Sequence, residues 1–246
     1  MQKLTTALCC LVVLGAGKMS GAAISCSNPA IDAISCIGSL SSPEDFVDEV
    51  FSVTGPGLST VIIQTYGFGG GTNAAGVNIL AGGFDSLVGL FTSSPETILT
   101  DTSGNPLASV AGSTQFSSGC GSASTVTIGG TTVCGDNRLT VRLGAGAYTL
   151  LLSDANYIPY PISPGPPVSM LLSDGFADFT GGVFQTCTSG GACVADTGKF
   201  AVDILQVPAS TAPEPQAIYL VEFALIPLVL KNKTRGPVSS LRRRSK

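Results

Sequence analysis

The chain has 246 residues, a length that predicts one domain of moderate size or two small ones. Its composition, 44% apolar and 11% charged, predicts a sizeable core and excludes a largely disordered protein. Histidine is absent, which excludes Ser-His-Asp and Cys-His catalysis and histidine-ligated zinc. The net charge is −4, and because the acidic body (residues 24–212) would repel phosphate backbones, we expect no binding to nucleic acid.

Residues 1–23 predict a secretory signal peptide. Lys3 is followed by an apolar run over residues 7–16 and then by small residues, with cleavage expected after Ala22 or Ala23. This order of charge, apolar run and small residues is typical of export. The alternative is an N-terminal core helix, which the Cys9-Cys10 pair and the neighbouring glycines suit poorly.

The cysteines predict structural disulfides. Loss of Cys9 and Cys10 with the signal peptide leaves an even number of cysteines, which in an exported chain favours disulfide bonds. Six cysteines allow 15 pairings, and the close spacing favours sequential neighbours. The favoured pairs are Cys26–Cys36, Cys120–Cys134 and Cys187–Cys193. A thiolate metal site is disfavoured because the chain has no Cys-x-x-Cys pair and no histidine.

Residues 24–45 are interpreted as an N-terminal lead-in to a β-domain over residues 46–207. An acidic run of Glu44, Asp45, Asp48 and Glu49 stands at this boundary. We expect this run to be solvated, with Phe46 and Val50 packing inward.

The body predicts an antiparallel β-sandwich or jelly roll, an all-β fold. Short apolar runs separated by glycine-rich turns show strand rather than helix periodicity. The predicted strands cover residues 50–54, 60–66, 86–91, 97–100, 124–128, 131–134, 138–143, 147–152 and 199–207. In 138–143 the alternation places Leu139, Val141 and Leu143 on one face. This number of short strands at regular spacing is typical of a sandwich.

The Gly69-Gly70-Gly71 segment is not a phosphate-binding loop. No lysine follows it, and no strand–helix unit surrounds it. It is predicted to be a mobile surface loop.

Several motifs resemble bacterial secreted β-sandwich domains. They are Phe51-Ser-Val-Thr-Gly-Pro-Gly57, Gly82-Gly83-Phe84-Asp85, residues 137–143, residues 146–150 and residues 198–204. The resemblance is to the pre-peptidase-type module appended to the C-terminus of secreted peptidases, and it spans residues 46–207. It implies a fold and brings no catalytic residues with it.

Asp85, Asp101 and Asp136 lie at predicted strand ends and are the calcium candidates. Carboxylate and carbonyl oxygens are the ligands that calcium takes in proteins. The alternative is that these aspartates bond to nearby backbone amides, as turn aspartates often do.

A second candidate site combines carboxylates with aromatic rings. Asp174 and Asp178 alternate with Phe176 and Phe179, and Tyr157 and Tyr160 stand in a proline-rich segment nearby. Such a set is suited to sugar recognition or to a glycosidase pair. The alternative is that the phenylalanines belong to the core and the aspartates are solvated.

The C-terminal end resembles the PEP-CTERM sorting signal of exported bacterial proteins. Pro213, Glu214 and Pro215 precede an apolar run over residues 217–230 and a basic tail over residues 231–246. The resemblance implies processing by an exosortase-type enzyme and transient anchoring of a transmembrane helix in the inner membrane. The apolar run is shorter than the ~20 residues that a spanning helix needs. An amphipathic or core helix with a solvated basic tail is the alternative.

The predicted function is that of a non-enzymatic exported bacterial protein of the cell surface or extracellular matrix, with exopolysaccharide as a candidate partner. The alternative function is a calcium- or carbohydrate-binding module of the cell surface. No catalytic residue and no cofactor other than calcium is expected.

Overall fold

The computed structural model describes residues 22–110, 123–163 and 170–207. These residues form an all-β structure, in which the only helix of the described ranges is a 3₁₀ turn over Leu172–Asp174. The strands are β1 (Ala23–Ala30), β2 (Ala33–Ser39), β3 (Phe46–Val53), β4 (Ser59–Thr65), β5 (Gly71–Thr72), β6 (Asn78–Ile79), β7 (Ser86–Thr92), β8 (Ala108–Val110), β9 (Val126–Ile128), β10 (Thr131–Val133), β11 (Arg138–Leu143), β12 (Gly146–Asp154), β13 (Tyr157–Pro159), β14 (Phe176–Asp178), β15 (Gln185–Cys187), β16 (Cys193–Ala195) and β17 (Lys199–Val207).

Two sheets contain most of the long strands. Sheet A has the order β1-β2-β17-β4-β11, and sheet B has the order β3-β12-β7-β8. Four two-stranded sheets, β5–β6, β9–β10, β13–β14 and β15–β16, complete the described part of the fold. The named strands pair antiparallel throughout, and most pairs within the two main sheets join strands that are distant in the sequence.

The principal hydrophobic core takes its residues from both sheets. Sheet A contributes Val61, Ile63, Leu139, Val141, Leu143, Phe200, Val202 and Ile204, and sheet B contributes Val47, Phe51, Val53, Val88, Leu90, Leu150 and Leu152. In β11 these buried residues alternate with exposed Thr140 and Arg142, which confirms the predicted face. A second cluster of Leu87, Phe91, Ile98, Leu151 and Leu172 uses side chains that point away from the first, so β7 and β12 are buried on both faces.

Strand prediction succeeds where apolar alternation is clear. The bounds predicted for β11 and β17 are confirmed, whereas residues 97–100 make isolated bridges to Phe91, Leu171 and Pro106 instead of a strand. The lead-in of residues 24–45 contains β1 and β2, which belong to sheet A. Neither strand was predicted; for β1 the reason is that it is almost wholly exposed, so its sequence lacks the apolar period of a core strand.

The prediction of a solvated acidic run is wrong. Asp45 and Asp48 are both buried. The Asp45 carboxylate accepts hydrogen bonds from the backbone N–H groups of Ser41 (3.1 Å) and Ser42 (2.9 Å), which replace water as its partners. The inward face of β3 is also shifted by one residue, because Val47 enters the principal core and Phe46 packs on the second cluster.

Two of the three predicted disulfides are confirmed, namely Cys26–Cys36 and Cys187–Cys193. Each joins directly opposed positions of an antiparallel pair, β1–β2 and β15–β16 respectively. Cys134 is disulfide-bonded as well, and its predicted partner Cys120 lies outside the described residues. Disulfides persist in oxidising compartments, so these bonds suggest an extracellular environment.

Both predicted terminal signals lie outside the described residues. This applies to residues 1–21 of the signal peptide and to the sorting motif Pro213, Glu214 and Pro215, the apolar run 217–230 and the basic tail 231–246. Within the described ranges, no helix has the length and apolar character needed to cross a bilayer.

Candidate functional site

Asp136, one of the calcium candidates, is a buried anchor for the backbone that follows β4. Its Oδ1 accepts hydrogen bonds from Phe68 N (3.2 Å) and Thr65 Oγ1 (3.1 Å), and its Oδ2 accepts one from Gly69 N (2.6 Å). Burial raises the pKa of Asp136, and these hydrogen bonds act in the opposite direction. Both carboxylate oxygens are therefore already engaged by the protein. Their donors lie 67 to 71 positions away in the sequence, so Asp136 connects distant segments and does not form a local turn.

The glycine-rich segment held by Asp136 is not a surface loop. Gly69 and Gly70 are buried, and a Cβ at Gly69 would clash with the carbonyl group of Ser124. Gly67 is equally confined, since a Cβ there would lie 2.9 Å from the Lys199 carbonyl oxygen. The glycines allow backbones to approach closely, which the sequence pattern does not distinguish from flexibility.

Asp101, the second calcium candidate, shapes an exposed turn. Its Oδ1 accepts from Ser103 N (2.8 Å) and Asn105 N (2.9 Å), and its Oδ2 accepts from Asn105 Nδ2 (3.1 Å). The side-chain hydrogen bond from Asn105 is the largest of several effects that lower the Asp101 pKa. This arrangement is an Asx-type turn, so Asp101 has a local structural role.

Asp85, the third calcium candidate, directly precedes β7 and differs from the other two. The residue is half-buried, but its Oδ1 atom is inaccessible to solvent and accepts no hydrogen bond from the residues that the structure describes. Burial raises the pKa of Asp85 well above its ordinary value. The carboxylates of Asp154, Asp196 and Asp136 raise this pKa further.

Asp154 and Asp196 complete what we term the acidic cluster, defined as Asp85, Asp136, Asp154 and Asp196. Asp154 is the last residue of β12, and its Oδ1 accepts from Asn156 N (2.8 Å). Burial raises the pKa of Asp154 to about 6, against the effect of the Asn156 hydrogen bonds. Burial likewise raises the pKa of Asp196, whose Oδ2 accepts from Thr186 Oγ1 (2.6 Å).

Sequence reasoning identified Asp85 and Asp136 but missed Asp154 and Asp196. Asp154 and Asp196 are far from Asp85 in the sequence, at 154 − 85 = 69 and 196 − 85 = 111 positions. Only the pairing of strands brings them near Asp85 in the fold. A strand that ends in an aspartate, as β12 does, was the only available signal.

The described residues contain no compact thiolate or carboxylate metal centre. The one group with three potential ligand atoms within 4.8 Å of one another consists of Cys26, Cys36 and Glu49. Its two sulfurs form a disulfide, so they are not available as thiolate ligands. The acidic cluster is thus more open than a closed metal centre.

The predicted combination of aromatic rings and carboxylates is partly assembled. Tyr157 and Phe176 stack with ring centroids 4.4 Å apart and an interplanar angle of 3°, and Phe46 stacks on Phe176 at 4.8 Å. Phe176 also packs on the second core cluster, whereas Phe179 is 68% exposed. The alternative interpretation, in which the phenylalanines belong to the core, is therefore confirmed for Phe176 and wrong for Phe179.

We term Tyr157, Phe176 and Phe179 the aromatic surface, although among the described residues Phe179 makes no ring contact with the other two. Two carboxylates with lowered pKa values, Asp178 and Glu44, lie near these residues. Asp178 is opposite Tyr157 in the β13–β14 pair, and Thr180 Oγ1 lies 2.8 Å from Asp178 Oδ1 and 3.1 Å from Glu44 Oε1. The Thr180 backbone N–H lowers the pKa of Asp178, and the Ser42 hydroxyl group lowers that of Glu44. Neither group has the raised pKa of a glycosidase general acid.

The chain matches no protein-family model, no curated protein and no solved structure. Its function is therefore argued from the geometry of the described residues.

Proposed function

We propose that this protein is an exported, non-enzymatic bacterial β-sandwich that serves as a scaffold at the cell surface or in the extracellular matrix. The observation that carries the proposal is the pair of disulfides Cys26–Cys36 and Cys187–Cys193, each across an antiparallel strand pair. Such bonds form and persist in oxidising compartments. The sandwich is supported by the principal core, to which both main sheets contribute.

A non-enzymatic role is supported by the buried pair Ser35 and Asp203, in which a potential serine nucleophile has a structural function. The Ser35 hydroxyl group donates to Asp203 Oδ1 (2.6 Å), and the other oxygen of Asp203 accepts from Ala74 N (2.7 Å). Ser35 and Asp203 are both buried, and the chain has no histidine to act as a base between them. This serine–aspartate pair therefore serves to attach the segment at Ala74 to sheet A.

Sorting by the C-terminal tail is part of the same proposal. Pro213, Glu214 and Pro215, followed by an apolar run and a basic tail, resemble a PEP-CTERM signal. The implied partners are an exosortase-type enzyme, the inner membrane during processing, and exopolysaccharide at the final location.

Intact mass of the protein isolated from its native host tests the proposal. We expect loss of about 23 N-terminal residues, loss of the segment that follows Pro215, and alkylation of the remaining cysteines only after reduction. Replacement of Pro213, Glu214 and Pro215 by alanine should leave the C-terminal segment attached, whereas Ser210→Ala should be processed normally. A full-length mass with freely alkylated cysteines would contradict export and sorting together.

Carbohydrate binding at the aromatic surface is a second candidate function. The observation that favours it is the largely exposed ring of Phe179 next to Asp178, together with the ionised Glu44. Aromatic faces pack against the apolar side of a sugar, and carboxylates accept hydrogen bonds from its hydroxyl groups.

Affinity electrophoresis in gels that contain neutral or acidic exopolysaccharides tests this candidate. Phe179→Ala should weaken binding by at least about tenfold, as removal of a central aromatic anchor does. Leu80→Ala is the matched control, because Leu80 is also a strongly exposed apolar residue and lies outside the aromatic surface. Equal retardation of both variants would remove the aromatic surface as a sugar site.

A further inference from the structure

We propose that an apolar groove on sheet A binds a free amphiphile that has one alkyl chain and one negatively charged head group. Lys199 contacts the head group, and apolar side chains of β2 and of the β5–β6 hairpin contact the alkyl chain. This inference goes beyond the scaffold role, and it does not depend on how the protein is sorted.

The groove lies between the paired strands β1 and β2 on one side and the β5–β6 hairpin on the other, and its volume is about 630 Å³. We define the apolar groove by six of its lining residues, which are Ser25, Ile37, Val77, Ile79, Leu80 and Lys199. Sites for small molecules have volumes of about 300–1,000 Å³ and are mostly apolar, with a few polar groups that orient the ligand. The groove has the size and the composition of such a site.

The register of sheet A places a cation and an apolar side chain on the same face. Phe200 of β17 belongs to the principal core, so its neighbours Lys199 and Ala201 face outward. Lys199 is opposite Ser39 in the β17–β2 pair. Ile37 is opposite Ala201, so it lies one row further along the same face, about 7 Å along the strands. A charged head group at the first row therefore has its alkyl chain beside the second.

The hairpin that forms the other wall is fixed by the protein itself. Asn73 N donates to the Val77 carbonyl oxygen (3.1 Å), and Val77 N donates to Asn73 Oδ1 (2.8 Å), which closes the turn between β5 and β6. Ala74 N donates to Asp203 Oδ2 (2.7 Å), which attaches this turn to β17. A ligand that enters a preformed groove does not have to order its walls, so less of the binding free energy is lost.

The apolar side chains of the groove are exposed to solvent. Leu80 is 79% exposed, Val77 43% and Ile37 42%. Single exposed apolar residues are ordinary in soluble proteins, but several that line one groove form the kind of patch that marks a binding site. An alkyl chain in the groove would remove this surface from water.

The charge of the groove is opposite to that of its surroundings. Lys199 is exposed, and it is the only charged residue among the described residues that line the groove. The next carboxylate on this face of β17 is Asp203, which is buried and accepts hydrogen bonds from Ser35 Oγ and Ala74 N. A positive charge at one end of an apolar groove favours a ligand with an anionic head group.

The net charge of the described residues favours a free amphiphile over a lipid within a membrane. These residues contain 14 carboxylates and three cations. The surface of an anionic membrane attracts basic segments and repels acidic ones, so the body is poorly suited to approach it. A single soluble molecule avoids that repulsion, and a groove with a wall on each side has room for one chain.

Equilibrium dialysis of the chain isolated from its native host, with its disulfides intact and bound lipid removed, tests the head-group preference. The probes are radiolabelled decanoate and decyltrimethylammonium, each below the concentration at which it forms micelles. We expect saturable binding of one decanoate per chain and weaker binding of the cation. Lys199→Glu should weaken decanoate binding about tenfold and reverse the preference, because it replaces an attraction by a repulsion. Arg142→Glu, at an exposed cation of β11, should keep the wild-type preference.

A second pair of variants tests the alkyl-chain contact with decanoate and with uncharged 1-decanol. Leu80→Ser should weaken the binding of both probes about fivefold, because part of the leucine surface is no longer covered. Leu58→Ser is the matched control, since Leu58 is 48% exposed and does not line the groove. Both variants change exposed residues, so the fold should be retained.

Four results would each overturn the proposal. They are no saturable binding of decanoate by the wild type, an unchanged preference in Lys199→Glu, equal effects of Leu80→Ser and Leu58→Ser, and a dimer in sedimentation that decanoate does not dissociate. The last result would assign the groove to a second copy of the chain.

Discussion

Removal of the Cys26–Cys36 bond should destabilise the whole fold rather than only one edge strand. The perturbation is the double variant Cys26→Ala/Cys36→Ala. Strand β1 is the edge of sheet A, is largely exposed, and is hydrogen-bonded to β2 alone among the strands. Cys36, in contrast, is fully buried in the principal core, so the bond connects the exposed edge to the interior.

The magnitude follows from the loop that the bond closes. For the sequence separation of 10, the chain-entropy relation gives about 2.7 kcal/mol. The loss of the buried Cys36 sulfur adds about 1 kcal/mol of packing and transfer free energy. The matched control is Cys187→Ala/Cys193→Ala, which opens a loop with a separation of 6 between two exposed residues and should cost about 2.2 kcal/mol.

Urea unfolding without reductant, followed by fluorescence, measures both losses. We expect the Cys26/Cys36 variant to lose more than 3 kcal/mol, with an m-value equal to or above that of the wild type, because opening the loop makes the unfolded chain less compact. Hydrogen exchange provides a second readout, because amides of β2 and β17 should exchange faster along with those of β1. If only β1 amides exchange faster while the urea midpoint stays constant, the edge strand unfolds on its own and the reasoning is refuted.

Three further outcomes follow from single side chains. Asp136→Asn should lower the free energy of unfolding by about 2–4 kcal/mol in urea titrations, because Phe68 N and Gly69 N lose a charged acceptor; an unaltered midpoint would contradict this. In EDTA, the free energy of unfolding should fall by up to about 3 kcal/mol as pH rises from about 4 to 6, because the folded state raises the pKa of Asp154 to about 6 and disfavours its charged form. Asp154→Asn should flatten this dependence on pH. An equal slope in the variant would refute the assignment. Phe84→Ala should cost about 3–5 kcal/mol in thermal unfolding, because the ring is buried in the principal core; a loss below 1 kcal/mol would be inconsistent with that packing.

The fold class could be predicted because its signal is local. Alternation in residues 138–143 and 199–207 identified β11 and β17, since a strand with one face in the core must repeat every two residues. Two disulfide pairs followed from spacing, because cysteines a few residues apart readily meet across a hairpin. The exposed β1 carries no such repeat and was not predicted.

The candidate site could be predicted only in part. Asp85 and Asp136 were chosen for the same reason, their place at strand ends. Hydrogen bonds satisfy Asp136, whereas one oxygen of Asp85 receives none from the described part of the chain. The segment Gly69-Gly70-Gly71 was interpreted as a mobile loop, but Gly69 and Gly70 are buried, because composition does not distinguish a flexible backbone from one that must pack closely.

The sequence by itself determined an all-β chain with disulfides, no histidine chemistry and an acidic body, because these properties depend on composition, short-range period and spacing. Only the tertiary structure decided which carboxylates share one environment. Asp154 and Asp196 approach Asp85 through strand pairing and backbone contacts between distant segments, and no local pattern contains that information. Burial, which removes the hydration of these aspartates and raises their pKa values, is likewise a property of the assembled sheets.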